Sequence, residues 1–414
     1  MAYMDQARIP NLRHLFAAAE VAHRGSIGQA AKSIHLTQPA VTHAIAKLET
    51  LLGNPLFERA SSGMIPTGAG RQFVARIGRA MDWLKAGERA FSPAPALHRL
   101  ATTVQLSALI AVVEGGGFSV SARALGMAQQ SIQRAVHDLE ALCSRPLFLR
   151  SPYGLEPTRE ARVLARNASL AFAEIRQGMD EVREYLGFMD GRISIGCLPL
   201  ARTHLLPTSV TRLLAQFPEA KVQVFEGSYP ELLHGIRHGR LDLVVGALRD
   251  PAPAADIRQE ACFLEPLWIV VRAGHPILAD PAPSLKKLAA LDWIVPREGT
   301  PTRTHFSNFF TMSGLPVPSH VVECSSLVVA RGMLVQSDRA AILSLSQIRY
   351  ETLSGQLAVL ADPLPGSHRP IGLSFRNEWQ PTRVQTAFLE HIKAVVEEDL
   401  AAAPTALRPP QGGG

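Results

Sequence analysis

At 414 residues, with 47% hydrophobic, 19% charged and 6% aromatic side chains, the chain is too long for one ordinary domain and too apolar for a disordered one. Asp5, Arg8, Pro10, Arg13 and His14 interrupt the N-terminal stretch where an export signal needs an apolar core, and no apolar run reaches the roughly 18 residues of a membrane span, so a soluble, cytoplasmic protein is expected. Lys and Arg against Asp and Glu number 11 to 6 over residues 1–91, 10 to 10 over 92–190 and 21 to 20 over 191–414, so nearly all of the net charge of +6 sits in the first quarter, as contact with a polyanion would require; a solvated basic face is the other reading.

The chain repeats itself at an offset of 91. Leu15, Gly25, Ala31, Gln38, Leu48 and Glu49 recur as Leu106, Gly116, Ala122, Gln129, Leu139 and Glu140, and Pro55-Leu56-Phe57 recurs as Pro146-Leu147-Phe148. Arg59, Gly63, Pro66 and Thr67 continue the register in Arg150, Gly154, Pro157 and Thr158. Two copies mean a duplicated domain, not a solenoid.

In copy one, LRHLFAAAEVAHRG spaces Leu12, Leu15, Phe16 and Ala19 for a helix that Gly25 closes. A short helix QAAKSIH and a tight turn at Leu36-Thr37 follow. QPAVTHAIAKLETLLG then begins a third helix with Thr37 as N-cap and Pro39 in the first turn. Val41, Ile45, Leu48 and Leu52 form its buried stripe, which turns Gln38, Ala40, Thr42, His43, Ala46 and Lys47 outward, where a major-groove reader needs donors and acceptors. The segment NPLFERASSGMIPTGAG has the turn residues of a small hairpin wing before a long helix.

Copy two replaces Thr37 by Ala128, Pro39 by Gln130 and Gly53 by Ser144, so its third helix loses a hydroxyl cap, a loss of about 1 kcal/mol. Gln129, Gln130, Ser131, Gln133 and Arg134 still project outward, so it is read either as a second DNA contact or as a spacer or dimerisation element. The helix after copy one spaces Phe73, Ile77, Ala80 and Leu84 and stops at a stiff linker carrying Pro93 and Pro95. The helix after copy two, from about Arg159 to Leu186, carries a near-heptad seam through Leu164, Ala168, Ala171, Ile175, Met179, Val182 and Leu186 and asks for a partner helix, in another chain or in its own core.

From Gly191 the pattern alternates β-rich runs (RISIGCL, KVQVFEG, LDLVVGAL) with amphipathic helices (LLPTSVTRLLAQF, ELLHGIRHG), as in an open α/β sheet. PLWIVVRAGHPI, LKKLAALDWIV, a helix from about Thr302 to Ser313, HVVECSS, LVVARGMLVQSD and AAILSLS continue the alternation. Cys143, Cys197, Cys262 and Cys324 lack CxxC spacing and are expected to be reduced and buried, with no structural zinc or disulfide framework.

The segment GSIGQAAKSIHLTQPAVTHAIAKLETLLGNPLFERASSGMIPTGAG resembles the DNA-binding domain of LysR-type transcriptional regulators, and GGFSVSARALGMAQQSIQRAVHDLEALCSRPLFLRSPYGLEPTREA is a divergent second version. GRISIGCLPLARTHLLP, FPEAKVQVFEGSYPELLHGIRHGRLDLVVGAL and LWIVVRAGHPI resemble the effector domain of the same regulators, which is like a two-lobed periplasmic binding protein. The resemblance implies an α/β multidomain protein. Its units are a winged helix-turn-helix domain with its following helix at 9–91, a linker at 92–102, a second winged domain with a long dimerisation helix at 103–190, an effector domain at 191–398 and a disordered tail at 399–414. Lobe 1 is placed at about 191–270 with 347–398, and lobe 2 at about 271–346. In the family the long helix makes an antiparallel dimer contact, so a homodimer or homotetramer is expected.

That resemblance makes the chain a regulator, not an enzyme, that binds double-stranded DNA and is switched by a small organic acid or sugar, with no cofactor or metal. A ligand between lobes sits at strand ends and helix starts, which selects Pro199, Leu200, Arg202, Thr203, Thr300, Thr302, Arg303, Ser325 and Ser326; helix capping and surface ion pairing are the bland reading of these residues. The alternative is a solute-binding or metal-dependent protein built on the C-terminal domain, with His234 and His238 at helical spacing as metal ligands. No P-loop, GxSxG or HExxH motif supports an enzyme, and GGG at 115–117 has no preceding strand.

Overall fold

Caps and left-handed glycines cut the first ninety residues into the expected helices. In the structure, a computed structural model describing residues 9–61, 63–152, 154–252, 254–360 and 362–402, α1 (Leu12–Arg24) ends at Gly25, whose φ of 65° suits glycine. The second helix, α2 (Ile27–Ser33), starts two residues before the expected QAAKSIH because the Ser26 side chain accepts from the Gln29 amide. Next, α3 (Gln38–Leu52) starts where Thr37 accepts from the Ala40 amide, and buries Val41, Ile45, Leu48 and Leu52 as expected. The wing pairs β1 (Phe57–Ala60) with β2 (Gly63–Pro66), and Met64 N–H donates to the Gly25 carbonyl at 2.8 Å, strapping wing to helix. Glu49 accepts from the Leu56 amide at 2.8 Å and fixes the entry to the wing. Thr67 then caps α4 (Gly68–Glu88).

The linker is not a free spacer. A single turn, α5 (Leu97–Leu100), buries Leu97, His98 Nδ1 lies 2.9 Å from the Glu88 carboxylate, and Thr103 donates to the Pro10 carbonyl at 2.9 Å. Copy two repeats the plan in α6 (Thr103–Gly115), α7 (Phe118–Leu125), α8 (Gln129–Cys143), β3 (Phe148–Ser151), β4 (Gly154–Pro157) and α9 (Arg159–Tyr185). Glu140 accepts from the Leu147 amide at 2.7 Å, matching Glu49 in copy one. Neither Gly117 nor Ala128 caps its helix with a side chain, whereas Ser26 and Thr37 do so in copy one. Ser144 closes α8 at φ 51°, in the left-handed region that Gly53 occupies without strain.

The seam on α9 finds its partner inside the same chain. α4 and α9 pack antiparallel: Gly68 lies by Tyr185, and Gly87 by Leu164 and Asn167. Phe73, Ile77, Ala80 and Leu84 of α4 and Leu164, Ala168, Ala171, Ile175 and Val182 of α9 are all buried in one core. In its middle lies Arg76, 1% exposed, whose five N–H donors all have partners. Nε donates to Glu181 at 3.0 Å; Nη1 donates to Glu174 at 3.0 Å and Gln177 at 2.7 Å; Nη2 donates to Glu181 and to the Gln380 carbonyl. Burial alone would lower its pKa, but Glu181 and Glu174 raise it above the usual arginine value.

Residues 192–402 form two five-stranded sheets. β5 (Arg192–Cys197), α10 (Leu205–Gln216), β6 (Lys221–Glu226), α11 (Tyr229–Arg237), β7 (Leu243–Ala247) and β8 (Ile257–Glu265) build lobe 1. Lobe 2 takes β9 (Trp268–Arg272), α12 (Leu285–Ala289), β10 (Trp293–Val295), α13 (Pro301–Thr311), β11 (Val321–Glu323), α14 (Leu327–Gln336), β12 (Ala340–Leu343), α15 (Arg349–Leu353) and β13 (Leu357–Val359). β14 (Arg369–Arg376) and α16 (Arg383–Ala402) return to lobe 1. The strand orders are β6-β5-β7-β14-β8 and β11-β10-β12-β9-β13.

Two expected boundaries move. β9 and β13 pair antiparallel, Val271 opposite Ala358, so both belong to lobe 2, and the chain changes lobe near Pro266 and between β13 and β14 instead of at 270 and 347. The expected tail at 399–414 begins too early, since α16 runs through Ala402; residues 403–414 lie outside those described. Of the cysteines, all free, Cys143 and Cys197 are buried but Cys262 and Cys324 are half-exposed.

Arg76→Ala leaves the buried Glu174 with Arg79 alone and takes the guanidinium from the half-buried Glu181. It is expected to lower the unfolding free energy by about 3–5 kcal/mol in urea titrations, and a loss under about 1 kcal/mol would show that the network is not a principal tie.

Candidate DNA interface and ligand cleft

Each winged unit offers one helix face that is turned to solvent. On α3 the side chains of Gln38, Ala40, Thr42, His43 and Lys47 are exposed, and on α8 those of Gln129, Gln130, Ser131, Gln133 and Arg134 are exposed. Thr42 donates to the Gln38 carbonyl at 3.0 Å, which leaves its oxygen free to accept. At the start of α8 the Gln129 side chain accepts from the hydroxyl of Ser119 on α7 at 2.7 Å, which orients it. His14 of α1 lies near this cationic face: burial, then His43 and Lys47, push it below the usual histidine value. Sequence reasoning missed Arg59 and Arg150, the exposed wing arginines opposite Met64 and Leu155, although their recurrence at the repeat offset was the available signal.

The positions expected to meet a ligand are set by topology. β5, β6 and β7 run parallel, with β14 antiparallel between β7 and β8, so Cys197, Glu226, Ala247, Arg369 and Glu265 share one sheet edge. In lobe 2 the matching edge carries Val295, Glu323, Leu343, Trp268 and Val359. Both interlobe crossings leave from these edges, so the edges face each other, and α11, α13 and α14 begin there with their N-termini toward the cleft.

Every expected ligand residue lies on those edges, with different partners. Pro199 is exposed in a short turn, and Leu200 is buried, lining an apolar cavity of about 360 Å³ with Phe263, Trp268 and Leu353. Arg202 pairs with Glu226 at 3.2 Å, and Thr203 donates to the Gln347 carbonyl at 3.4 Å. Thr300 caps α13 and donates to the Arg297 carbonyl at 2.8 Å, and Ser326 caps α14; both hydroxyls serve their helices. Ser325 accepts from Arg297 at 3.4 Å, and Arg303 pairs with Glu298 at 2.8 Å. Arg202 and Arg303 therefore have their ion-pair partners on their own lobes and do not share one.

Thr302 crosses the cleft. Its hydroxyl accepts from Arg369 of β14 at 2.9 Å, and Arg249, which stacks on Tyr229 at 4.5 Å, lies in the same charge field. The Nε atoms of Arg303 and Arg369 and the hydroxyl of Tyr229 are buried with no hydrogen-bond partner among the described residues. Burial pushes Glu265 up, toward its neutral form, so it opposes an anion less than an ionised carboxylate would. Arg369, Arg249 and Tyr229 escaped sequence reasoning; the alternating run RPIGLSFR was the only signal for the strand that brings Arg369 back.

His234 and His238 stack ring on ring at 3.7 Å, and His238 Nδ1 lies 2.9 Å from the His234 carbonyl, an arrangement that serves the end of α11. No group of three or more potential metal ligands occurs among the described residues, and no helix among them is long and apolar enough to cross a membrane.

Comparison with known proteins agrees with this layout. Residues 12–71 and again 103–162 match the bacterial regulatory helix-turn-helix domain of the lysR family, and residues 187–397 match the LysR substrate binding domain. The HTH-type transcriptional regulator GalR of Pseudomonas putida is 34% identical over 95% of this chain and 100% of its own length. PcaQ of Agrobacterium fabrum, also an HTH-type transcriptional regulator, is 26% identical over 67% of this chain and 89% of its own. The full-length structure of an OxyR variant from Pseudomonas aeruginosa superposes with a TM-score of 0.52 at 20% identity, covering 70% of this chain and 97% of that one.

Burial, then His234, pushes His238 down to about 3, so the folded chain leaves it neutral where the unfolded chain takes up a proton. The folded-state value is depressed, so this contribution is complete above the ordinary histidine value of about 6.5 and fades as pH falls below it. Thermal melts at pH 7 and pH 5 should show a larger loss of Tm on acidification for the parent than for His238→Gln, and equal losses would refute the assignment.

Proposed function

This chain belongs to the LysR family of transcriptional regulators, and from that premise we propose which of its residues read DNA and what kind of effector switches it. The family is one of DNA-binding regulators carrying an effector domain, not of enzymes. Gln38, Thr42, His43 and Lys47, with the backbone exposed around Ala40, supply the main sequence-reading face. Gln129, Gln130, Ser131, Gln133 and Arg134 of the second copy lengthen the contact, and Arg59 and Arg150 hold phosphates from the wings. The capped start of α3 against the uncapped start of α8 supports that division of labour. Its target places the protein in the bacterial cytoplasm, as a homodimer or homotetramer, and the exposed apolar pair Val328 and Val329 on α14 offers surface for such assembly.

The effector is a small organic acid. The observation that carries this reading is the set of buried, unpartnered donors on Arg303, Arg369 and Tyr229 at the facing sheet edges. An unmet buried donor costs about 1–3 kcal/mol, which a carboxylate would recover, and the N-termini of α11, α13 and α14 add favourable field. Arg202, Thr203, Thr302 and Ser325 complete the site, whereas Thr300 and Ser326 shape it as caps and Pro199 and Leu200 set the first turn. Arg369 joins Arg202 and Arg303, the two arginines expected from the sequence, as a cation for the ligand.

Duplex affinity should fall linearly with salt on logarithmic axes in gel-shift titrations. Gln38→Ala or Thr42→Ala should abolish selectivity, about 1–3 kcal/mol for each base contact. Binding to no fragment at any salt concentration defeats the proposal. In thermal-shift titrations carboxylates should raise Tm where neutral sugars do not, and Arg369→Ala should weaken the best carboxylate about tenfold or more, at about 1.5–3 kcal/mol for a charged hydrogen bond. A response to neutral sugars alone assigns the site to another chemistry.

A further inference from the structure

The contacts between α4 and α9 repeat themselves when the 91-residue offset is applied. A Cβ built on Gly178 would lie 3.0 Å from Phe73 Cδ2 and 2.8 Å from Arg76 Cβ. One built on Gly87 would lie 3.1 Å from Leu164 Cδ1 and 3.1 Å from Asn167 Cβ. Adding 91 turns Gly87 into Gly178, Phe73 into Leu164 and Arg76 into Asn167, so each contact is the counterpart of the other with the two helices exchanged. Residue i meeting j while the equivalent of j meets the equivalent of i is the signature of an isologous, two-fold interface. Symmetric subunits make such an interface between chains; here both halves belong to one chain.

The pairing is secured in cis by the docked linker. Thr103 donates to the Pro10 carbonyl, Arg13 to the Leu100 carbonyl at 3.5 Å, and Arg145 to the Ser92 carbonyl at 3.0 Å, each joining residues about the linker to one of the two copies. The two-fold relation holds for the scaffold but not for the readers it carries. Gln38, Thr42 and Lys47 on α3 stand where copy two has Gln129, Gln133 and Asp138 on α8. A two-fold frame with unlike readers cannot favour a palindrome, because each half of the duplex meets different side chains.

We propose that a single chain is a complete two-headed reader of duplex DNA. α4 and α9 hold α3 and α8 as unlike halves of a built-in dimer, and one chain occupies a bipartite site whose halves are related by a dyad in position and differ in sequence. This rests on the reading of α3 and α8 as DNA-facing helices.

The test uses the full chain with Gly87→Cys and Asn167→Cys together. A Cβ on Gly87 would stand 3.1 Å from that of Asn167, within a few tenths of an ångström of the roughly 3.5–4.5 Å of a disulfide, so a small parting of the helices admits the bond. Burial pushes the native Cys143 and Cys197 thiols up to about 12, so they do not compete; the half-exposed Cys262 and Cys324 are changed to Ser in every variant, and each single-cysteine variant serves as control. On mild oxidation the double variant should form one internal disulfide, run at monomer mass without reductant, and keep duplex affinity within about twofold, a change of under 0.5 kcal/mol. A disulfide that joins two chains, or none at all in the folded protein, overturns the built-in dimer.

Selection from random duplexes should return a site with two unlike halves, and a palindromic optimum overturns the proposal. Mixing a Gln38→Ala, Thr42→Ala chain with a Gln133→Ala, Arg134→Ala chain should not restore the full footprint, because both halves must be read by one chain; restoration overturns it. An internally cross-linked chain that binds no duplex at all overturns the DNA-facing reading instead, and so separates the two failures.

Discussion

One buried cation sets the arrangement of the whole molecule. Arg76 comes from the helix that follows the first winged unit, Glu174, Gln177 and Glu181 from the helix that follows the second, and the Gln380 carbonyl from the approach to the last helix of lobe 1. A guanidinium taken out of water costs several kcal/mol unless all its donors are met, and here each donor has a partner. A one-residue slip between α4 and α9 would strand the charge. The apolar seam supplies most of the burial but would tolerate several registers, so the arginine selects one.

The outward faces of α3 and α8 and the cleft between the lobes therefore share a rigid mount. Copy two is also fixed to lobe 1 through α9, where Ser169 donates to the His238 carbonyl at 2.6 Å and Arg166 pairs with Asp256, and through α6, where Glu114 pairs with Arg240 at 3.0 Å. Copy one touches lobe 1 through the Arg76 bond to Gln380. A movement of lobe 1 would therefore reach copy two directly and copy one through Arg76. This is a contiguous set of contacts between the cleft and the α3 and α8 faces, the material that a coupling between the proposed sites requires.

The two copies show how a duplicated unit diverges while keeping its frame. Glu49 and Glu140 brace their wings in the same way, and Thr67 and Thr158 cap their long helices alike. What changed are the groups that stabilise or dress the reading helix: two side-chain caps are gone, a left-handed serine replaces glycine, and the wing of copy two lacks the close approach that Gly63 makes to Gly25, since a Cβ at Gly154 would meet nothing within 4 Å. Each change is local and costs about 1 kcal/mol, which packing of α9 against α4 and lobe 1 readily offsets.

The sequence by itself determined the local units. Caps, glycines and apolar periodicity placed α1, α3, α8 and α9, the repeat register declared the duplication, and the residues 38–47 and 129–134 were legible as outward faces because helix period alone decides which side chains point away from a buried stripe. The residues expected at strand ends and helix starts were legible only as positions. The sequence could not say that Thr300 and Ser326 spend their hydroxyls on capping, or that Arg369 crosses the cleft to Thr302, because that pairing joins residues 67 apart and depends on β14 running antiparallel between β7 and β8. Nor could it choose the partner of the α9 seam or the true points of lobe exchange. A heptad pattern and a β-rich run state that a face must be covered but not by what, and only the tertiary structure, closing α4 on α9 and β13 on β9, decided that.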